Sequence, residues 1–155
     1  MSAADSRGVV IGVIDGSRSR ELRRSVLRPH FDPGEPLPGD DRADAVHFGA
    51  TSLDGQVLSA CLIFPEPCPW RLDDGPGWQL RSMASAPAAR GRGLGARVLG
   101  AVVDYIADHD GGVLWCYARD LAVPLYERGG LVVYGERFVE HDVPHLRMSR
   151  IVTSA

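Results

Sequence analysis

The longest regular pattern of apolar positions is Leu94, Val98, Leu99, Val102 and Ile106. These residues recur at helical spacing and put one apolar stripe on a helix that opens near Leu94, while Arg97 and Asp104 point elsewhere. Asp110-Gly111-Gly112 stops it. Shorter apolar runs at Val9–Ile14, Trp78–Ser85, Gly112–Tyr117, Leu131–Tyr134 and His145–Val152 predict strands. Ala45–Thr51 and Gln56–Phe64 flank Ser52-Leu53-Asp54-Gly55, and Asp-Gly between apolar runs signals a hairpin. Ser17 is the expected N-cap of a helix through Leu27, with Leu22, Val26 and Leu27 as its buried stripe. Leu121–Arg128 suits two helical turns, with Pro124 in the first and Gly129-Gly130 behind the last. Pro29–Asp41 is rich in Pro, Gly and Asp and reads as a long loop, either part of a substrate wall or simply mobile.

A strand–helix–strand unit from Trp78 to Tyr117 implies a parallel pair with a right-handed crossover, and the hairpin implies antiparallel pairs. The expected class is therefore α/β: a mixed, mostly antiparallel central sheet with flanking helices. At 155 residues a single domain spanning 1–155 is expected. Net charge is −3 and the basic residues are spread along the chain, so nucleic acid is not the expected partner. All 17 basic residues are Arg, which removes Schiff-base and lysine-nucleophile chemistry. Cys61, Cys68 and Cys116 show neither a disulfide framework nor zinc-ligand spacing. His141 and His145 resemble a metal pair by spacing, but Pro144 between them argues against a helix and no third ligand is evident, so no metal is assigned. The polar start, Met1 to Gly8, and the lack of any run near ~18 apolar residues point away from a membrane and toward the cytoplasm.

One stretch carries candidate chemistry. In Arg90-Gly91-Arg92-Gly93-Leu94-Gly95-Ala96, glycine occupies every second position just where a helix begins. Bare backbone N–H groups at a helix start suit phosphate, and two arginines add charge that phosphate oxygens can use. A nucleoside-triphosphate loop needs Gly-Lys-Ser/Thr, which a lysine-free chain lacks. The dinucleotide fingerprint matches Gly91, Gly93 and Ala96 literally, with Asp120 near the place of a ribose-binding acid. Against it, Ala86-Pro87-Ala88-Ala89 separates loop from strand, and too few elements follow for a doubly wound sheet.

The third reading is a resemblance. Arg90, Gly93 and Gly95 stand at the defining positions of the Arg/Gln-x-x-Gly-x-Gly/Ala loop of the GNAT N-acetyltransferase superfamily. Arg81-Ser82-Met83-Ala84-Ser85 with Pro87 looks like that family's fourth strand, and Val123-Pro124-Leu125-Tyr126-Glu127-Arg128-Gly129-Gly130-Leu131 looks like its Leu-Tyr-Glu-Arg-Leu-Gly-Phe segment. Order and spacing agree from Trp78 to Val133. His47-Phe48-Gly49-Ala50, Leu114-Trp115-Cys116-Tyr117-Ala118-Arg119 and Val143-Pro144-His145-Leu146-Arg147-Met148 are similar to a small bacterial subgroup of the superfamily. Departures are Tyr117 where the subgroup has Asn, Gly130 where Leu is usual and Leu131 where Phe is usual.

The resemblance implies an N-acetyltransferase that moves the acetyl group of acetyl-coenzyme A to a primary amine by direct attack, through a tetrahedral intermediate. It implies that the parallel strand pair splays apart and that pantetheine pairs like an extra strand with Met83 and Ser85. Met83, Ala84, Ser85 and the Arg90–Ala96 loop (Arg90, Gly91, Arg92, Gly93, Leu94, Gly95, Ala96) would then bind the cofactor. A backbone N–H of the Met83–Ser85 strand would stabilise the oxyanion, worth about 3 kcal/mol. Tyr126 stands at the general-acid position; a phenol of ordinary pKa near ~10 suits a thiolate leaving group. Without the resemblance, Tyr126 reads as a half-buried packing aromatic. The base is open among His47, Glu136, His145 and a water chain, the same three residues being the acceptor-side candidates. Glu136–Glu140 would attract a cationic acceptor or form a solvated edge strand. A longer acyl donor and a non-catalytic acyl-coenzyme A sensor are the alternatives. Exposed edge strands would support a homodimer.

Overall fold

The computed structural model describes residues 8–155; the polar start before Gly8 lies outside them. The chain divides into two compact units, one built from the chain up to Phe64 together with Arg81–Val102, the other from Pro65–Leu80 and Val103–Ala155. Seven strands follow the order β1-β2-β3-β4-β5-β7-β6: β1 Val9–Ile14, β2 Val46–Ser52, β3 Val57–Pro65, β4 Gly77–Ser85, β5 Gly112–Arg119, β6 Val132–Glu140 and β7 Val143–Val152. β4 and β5 are the parallel pair, and the other described ladders are antiparallel. Three helices accompany them: α1 Arg20–Leu27, α2 Leu94–Asp108 and α3 Val123–Arg128. The mixed α/β architecture is the expected one.

In the first unit, β1 pairs with β2 and β2 with β3 across the Asp54-Gly55 turn, where Ser52 N donates to Gln56 O at 2.8 Å. β3 is buried from Leu58 to Phe64, and Phe48, Ala50 and Val9 complete that core. The helix after β1 differs from expectation. Its entry is a short 3-10 turn, Gly16–Ser19, capped by the Asp15 carboxylate, which accepts from Ser17 N (2.9 Å) and Ser17 Oγ (2.7 Å). A carboxylate outcompetes a hydroxyl as acceptor at a helical start, so Ser17 spends its hydroxyl as a donor. Arg23, at 1% exposure, is the buried residue of α1, whereas Leu22, Val26 and Leu27 are only partly covered. The guanidinium is buried because every side of it finds an acceptor: Ser19 Oγ at 2.9 Å, Gly16 O at 3.1 Å and Asp40 Oδ1 at 2.8 Å. That pair fastens the Pro, Gly and Asp-rich loop, which also seats Leu37 in the core and lays Arg42 over the Phe64 ring at 4.2 Å.

In the second unit, β5 pairs with β7 along its length and β7 with β6. β6 runs past the expected Tyr134. Gly135 takes φ +73, the register shifts between Tyr134 and Phe138, and pairing resumes to Glu140. A bulge absorbs the residues that interrupt the apolar alternation. β6 ends the strand order, and its bulge, with Glu136 and Arg137 in it, blunts that edge. His141 and Asp142 turn the chain back into β7, both at positive φ as a two-residue primed turn requires. Trp115 and Trp70 close the unit's core beside Cys68 and Val113. Their indole N–H groups donate to Glu66 O (2.9 Å) and Ser149 Oγ (3.1 Å), so neither ring is buried at the expense of a lost hydrogen bond.

Candidate functional site

The glycine loop lies in the first unit between a 3-10 turn, Pro87–Ala89, and α2. Gly91 and Gly93 take φ +83 and +72 with Arg92 between them at negative φ. This alternation of left- and right-handed backbone turns successive N–H groups to one side, the geometry of an anion-binding nest. The first helical bond runs from Arg97 N to Gly93 O at 3.2 Å. The amides of Leu94, Gly95 and Ala96 therefore precede the i−4 ladder and have no partner within α2. Gly93 is the N-cap and offers no side-chain oxygen to them. Arg90, Gly91, Gly93 and Ala96 are exposed, and a Cβ on Gly91 or Gly93 would meet nothing within 4 Å. The run is open, not sealed beneath side chains. Leu94 is the exception: its side chain is buried and only its amide belongs to the loop surface. The predicted stripe of α2, Leu94, Val98, Leu99, Val102 and Ile106, is buried throughout, which fixes the helix that carries these amides.

Upstream, β4 pairs with β5 over Gly77↔Val113, Trp78↔Leu114 and Gln79↔Trp115, and β4 then continues to Ser85. Within this continuation Ser82 takes φ +59, a left-handed conformation in the middle of a strand. A side chain there costs about 1–2 kcal/mol. Such a residue re-aims the backbone groups around it, and those groups belong to Met83, Ala84 and Ser85. Ala84 is buried, Met83 and Ser85 partly exposed, and Ser85 Oγ lies 2.9 Å from the buried Ser59 Oγ. Neither Ser82 nor Ser59 was singled out by sequence pattern; a left-handed serine carries no periodic signal.

Tyr126 lies on α3 in the second unit and is 4% exposed. The helix closes with Leu131 N donating to Tyr126 O and Gly130 N to Glu127 O, both at 3.0 Å, and Gly130 at φ +88. These are the paired bonds of a Schellman end. They correct one departure noted above: Gly130 fills the left-handed glycine position, so the replacement of Leu falls on Gly129. Leu131 is buried at the position where the aromatic was expected.

The acceptor-side candidates are distributed over both units. In the first, His47 on β2 packs its ring against Gly16, where a Cβ would come within 2.6 Å of Nε2. Its Nδ1 is buried and has no hydrogen-bond partner among the described residues. Burial holds its pKa below the ordinary value, Arg23 adding to the effect and Asp40 and Asp15 opposing it. In the second, His145 on β7 stands opposite Phe138 and stacks on it at 5.6 Å, with Nδ1 2.8 Å from Val143 O. Glu136 is exposed in the β6 bulge. Burial raises the thiols of Cys61, to about 12, and of Cys116, which leaves both as inert core groups. His141 occupies the β6–β7 turn. No group of three or more His, Cys, Asp or Glu among the described residues is arranged to hold a metal ion.

Comparison with known proteins gives a consistent picture. The model of the acetyltransferase (GNAT) domain family matches residues 71–152. The chain is 26% identical over 124 residues to the uncharacterized N-acetyltransferase YitI of Bacillus subtilis (strain 168), covering 80% of each. It is 27% identical to an acyl-CoA N-acyltransferase from Pseudomonas aeruginosa, over 84% of this chain and 85% of that one, with TM-score 0.64. An aminoglycoside 6'-N-acetyltransferase solved with coenzyme A shares the fold at TM-score 0.73 and 12% identity, over 94% and 98% of the two chains.

Proposed function

The chain belongs to the GNAT acetyltransferase family, and we propose that it transfers the acetyl group of acetyl-coenzyme A to a primary amine. Family membership supports acyl transfer from a coenzyme A donor; the acetyl group, the amine and the residue roles are this proposal's own. The observation that carries it is the open amide nest at Gly91–Ala96. The diphosphate of coenzyme A is the anion that suits it, with Arg90 and Arg92 adding charge. The β4 backbone beyond the β5 ladder, at Met83 and Ser85, would pair with the pantetheine amides. When bound, the thioester supplies an activated acyl carbon. An N–H of the same strand would hold the negative charge that develops on its oxygen. Tyr126 Oη would give its proton to the departing sulfur, so that coenzyme A leaves as a thiol. His47, held neutral at pH 7 by burial, is able to accept a proton; Glu136, His145 and water remain rivals for that role.

Coenzyme A release from acetyl-coenzyme A, followed over a panel of primary amines, tests this. The expected result is amine-dependent thiol release whose kcat falls about 100-fold in Tyr126→Phe, with coenzyme A affinity unchanged. Coenzyme A binding without release on any amine would make the protein an acyl-coenzyme A sensor instead.

A further inference from the structure

The second unit carries an aromatic face that the acyl-donor chemistry does not use. Directly paired residues of antiparallel strands share a face, and the registers of β5, β7 and β6 define three rows. Trp115, Ser149 and Val132 form the first, Tyr117, Arg147 and Tyr134 the second, and Arg119, His145 and Phe138 the third. Trp70 packs on the first row, edge-on to Trp115 at 5.4 Å and stacked on Tyr134 at 5.8 Å, with its planes 8° apart. Tyr117 meets Trp115 and Phe138 edge-on at 5.4 and 5.7 Å. This face is not a sealed core: Tyr117 is 38% exposed and Tyr134 54%.

Arg147 sits in the middle of it. Its guanidinium lies 4.6 Å from the Phe138 ring centroid and pairs with no carboxylate among the described residues. Asp120, the nearby acid of the β5–α3 connection, is taken by Arg137 through two bonds at 2.9 and 3.1 Å. An arginine held over a ring keeps its in-plane N–H donors free, and those donors match a carboxylate in bidentate fashion. Tyr117 and Tyr134 flank it from strands on either side, so their backbones are about 10 Å apart. Trp70 fills the space between them, 5.8 Å from Tyr134 and 6.0 Å from Tyr117, so an incoming ring would lie on the exposed side of Tyr134, which is 54% exposed, while its acid group reaches Arg147.

We infer that this face selects the amine acceptor, and that the acceptor is an aromatic amine bearing a carboxylate. Arg147 binds the acid and Tyr134 binds the ring. The substrate class rests on the proposed acetyl transfer; the binding face itself does not.

The test is equilibrium binding of three probes to the full chain. L-phenylalanine has ring, amine and acid; phenethylamine lacks the acid; glycine lacks the ring. Wild type is expected to bind L-phenylalanine at least tenfold more tightly than either of the others. Arg147→Met should abolish the preference over phenethylamine, and Arg147→Lys should retain part of it. Tyr134→Leu, at an exposed position that tolerates substitution, should narrow the preference over glycine. Equal binding of phenethylamine and L-phenylalanine by wild type overturns the inference, as does a preference that survives in a folded Arg147→Met. Coenzyme A titrated separately tells the two readings apart. Acid preference without coenzyme A binding upholds the face and defeats the proposed activity. Coenzyme A binding without acid preference defeats the face alone.

Discussion

Ser82 and Gly93 share a left-handed backbone for opposite reasons. Gly93 takes φ +72 at no steric cost and leaves the space beside it open, whereas Ser82 takes φ +59 against its own Cβ. The open glycine loop was legible, because alternate glycines at a helix start have few other uses, though the sign of φ at Gly93 is seen only in the structure. The second was not, because Ser82 sits in an ordinary strand-like run. His47 shows a third kind of residue-scale information. The sequence marks it as a candidate base, but only the structure shows Nδ1 buried without a partner among the described residues and the ring packed on Gly16. Because its pKa is lowered on folding, the folded state binds fewer protons than the unfolded one. Its contribution to stability is present above the unfolded value of about 6.5 and is lost as pH falls below it. The urea midpoint of wild type should therefore drop as pH falls below about 6.5, and His47→Gln should flatten that drop. Parallel profiles for the two proteins would assign the proton elsewhere.

At the scale of elements, α2 was read correctly because its signal is local: five apolar positions at one period, all buried. The helix α1 and its end at Leu27 were legible, but its buried face was read incorrectly because that burial depends on a residue far along the chain. Arg23 is covered only because Asp40, in the following loop, neutralises it, and Arg20 adds a longer contact to the same carboxylate at 3.5 Å. No periodicity reports such a pairing. Asp40→Ala would leave a buried guanidinium with half its acceptors and should cost about 3 kcal/mol or more of unfolding free energy. Urea denaturation measures this directly, and a loss below about 1 kcal/mol would mean that water replaces the carboxylate. The strand β6 was cut short for a related reason: Gly135, Glu136 and Arg137 interrupt the alternation, and only pairing with β7 shows that the strand resumes. The aromatic rows of the second unit were equally hidden, since Tyr117, Tyr134 and Phe138 become neighbours through register, not through sequence spacing.

At the scale of the whole molecule, the mixed sheet and its parallel pair are those expected from the strand–helix–strand unit and the hairpin, whereas the strand order is known only from the structure. No helix among the described residues is long and apolar enough to cross a membrane. The proposed chemistry draws on both compact units: the amide nest and the Met83–Ser85 strand belong to the first, Tyr126 and the arginine-centred aromatic face to the second. The first half of this division was readable, since phosphate recognition uses backbone amides whose position glycine announces. The proposed acceptor face was not, because side chains from three strands and a loop compose it.

The central claim is that bare amides at the start of α2 hold the diphosphate of coenzyme A. Calorimetric titration of coenzyme A into Gly93→Asn and Gly93→Asp tests it most directly. The two side chains are nearly isosteric and both tolerate the left-handed backbone, so their difference isolates charge. The account predicts that the Asn variant keeps measurable affinity while the Asp variant loses at least a further tenfold, about 1.4 kcal/mol, a gap that narrows as salt rises. Folded Asn and Asp variants that bind coenzyme A equally well would contradict it.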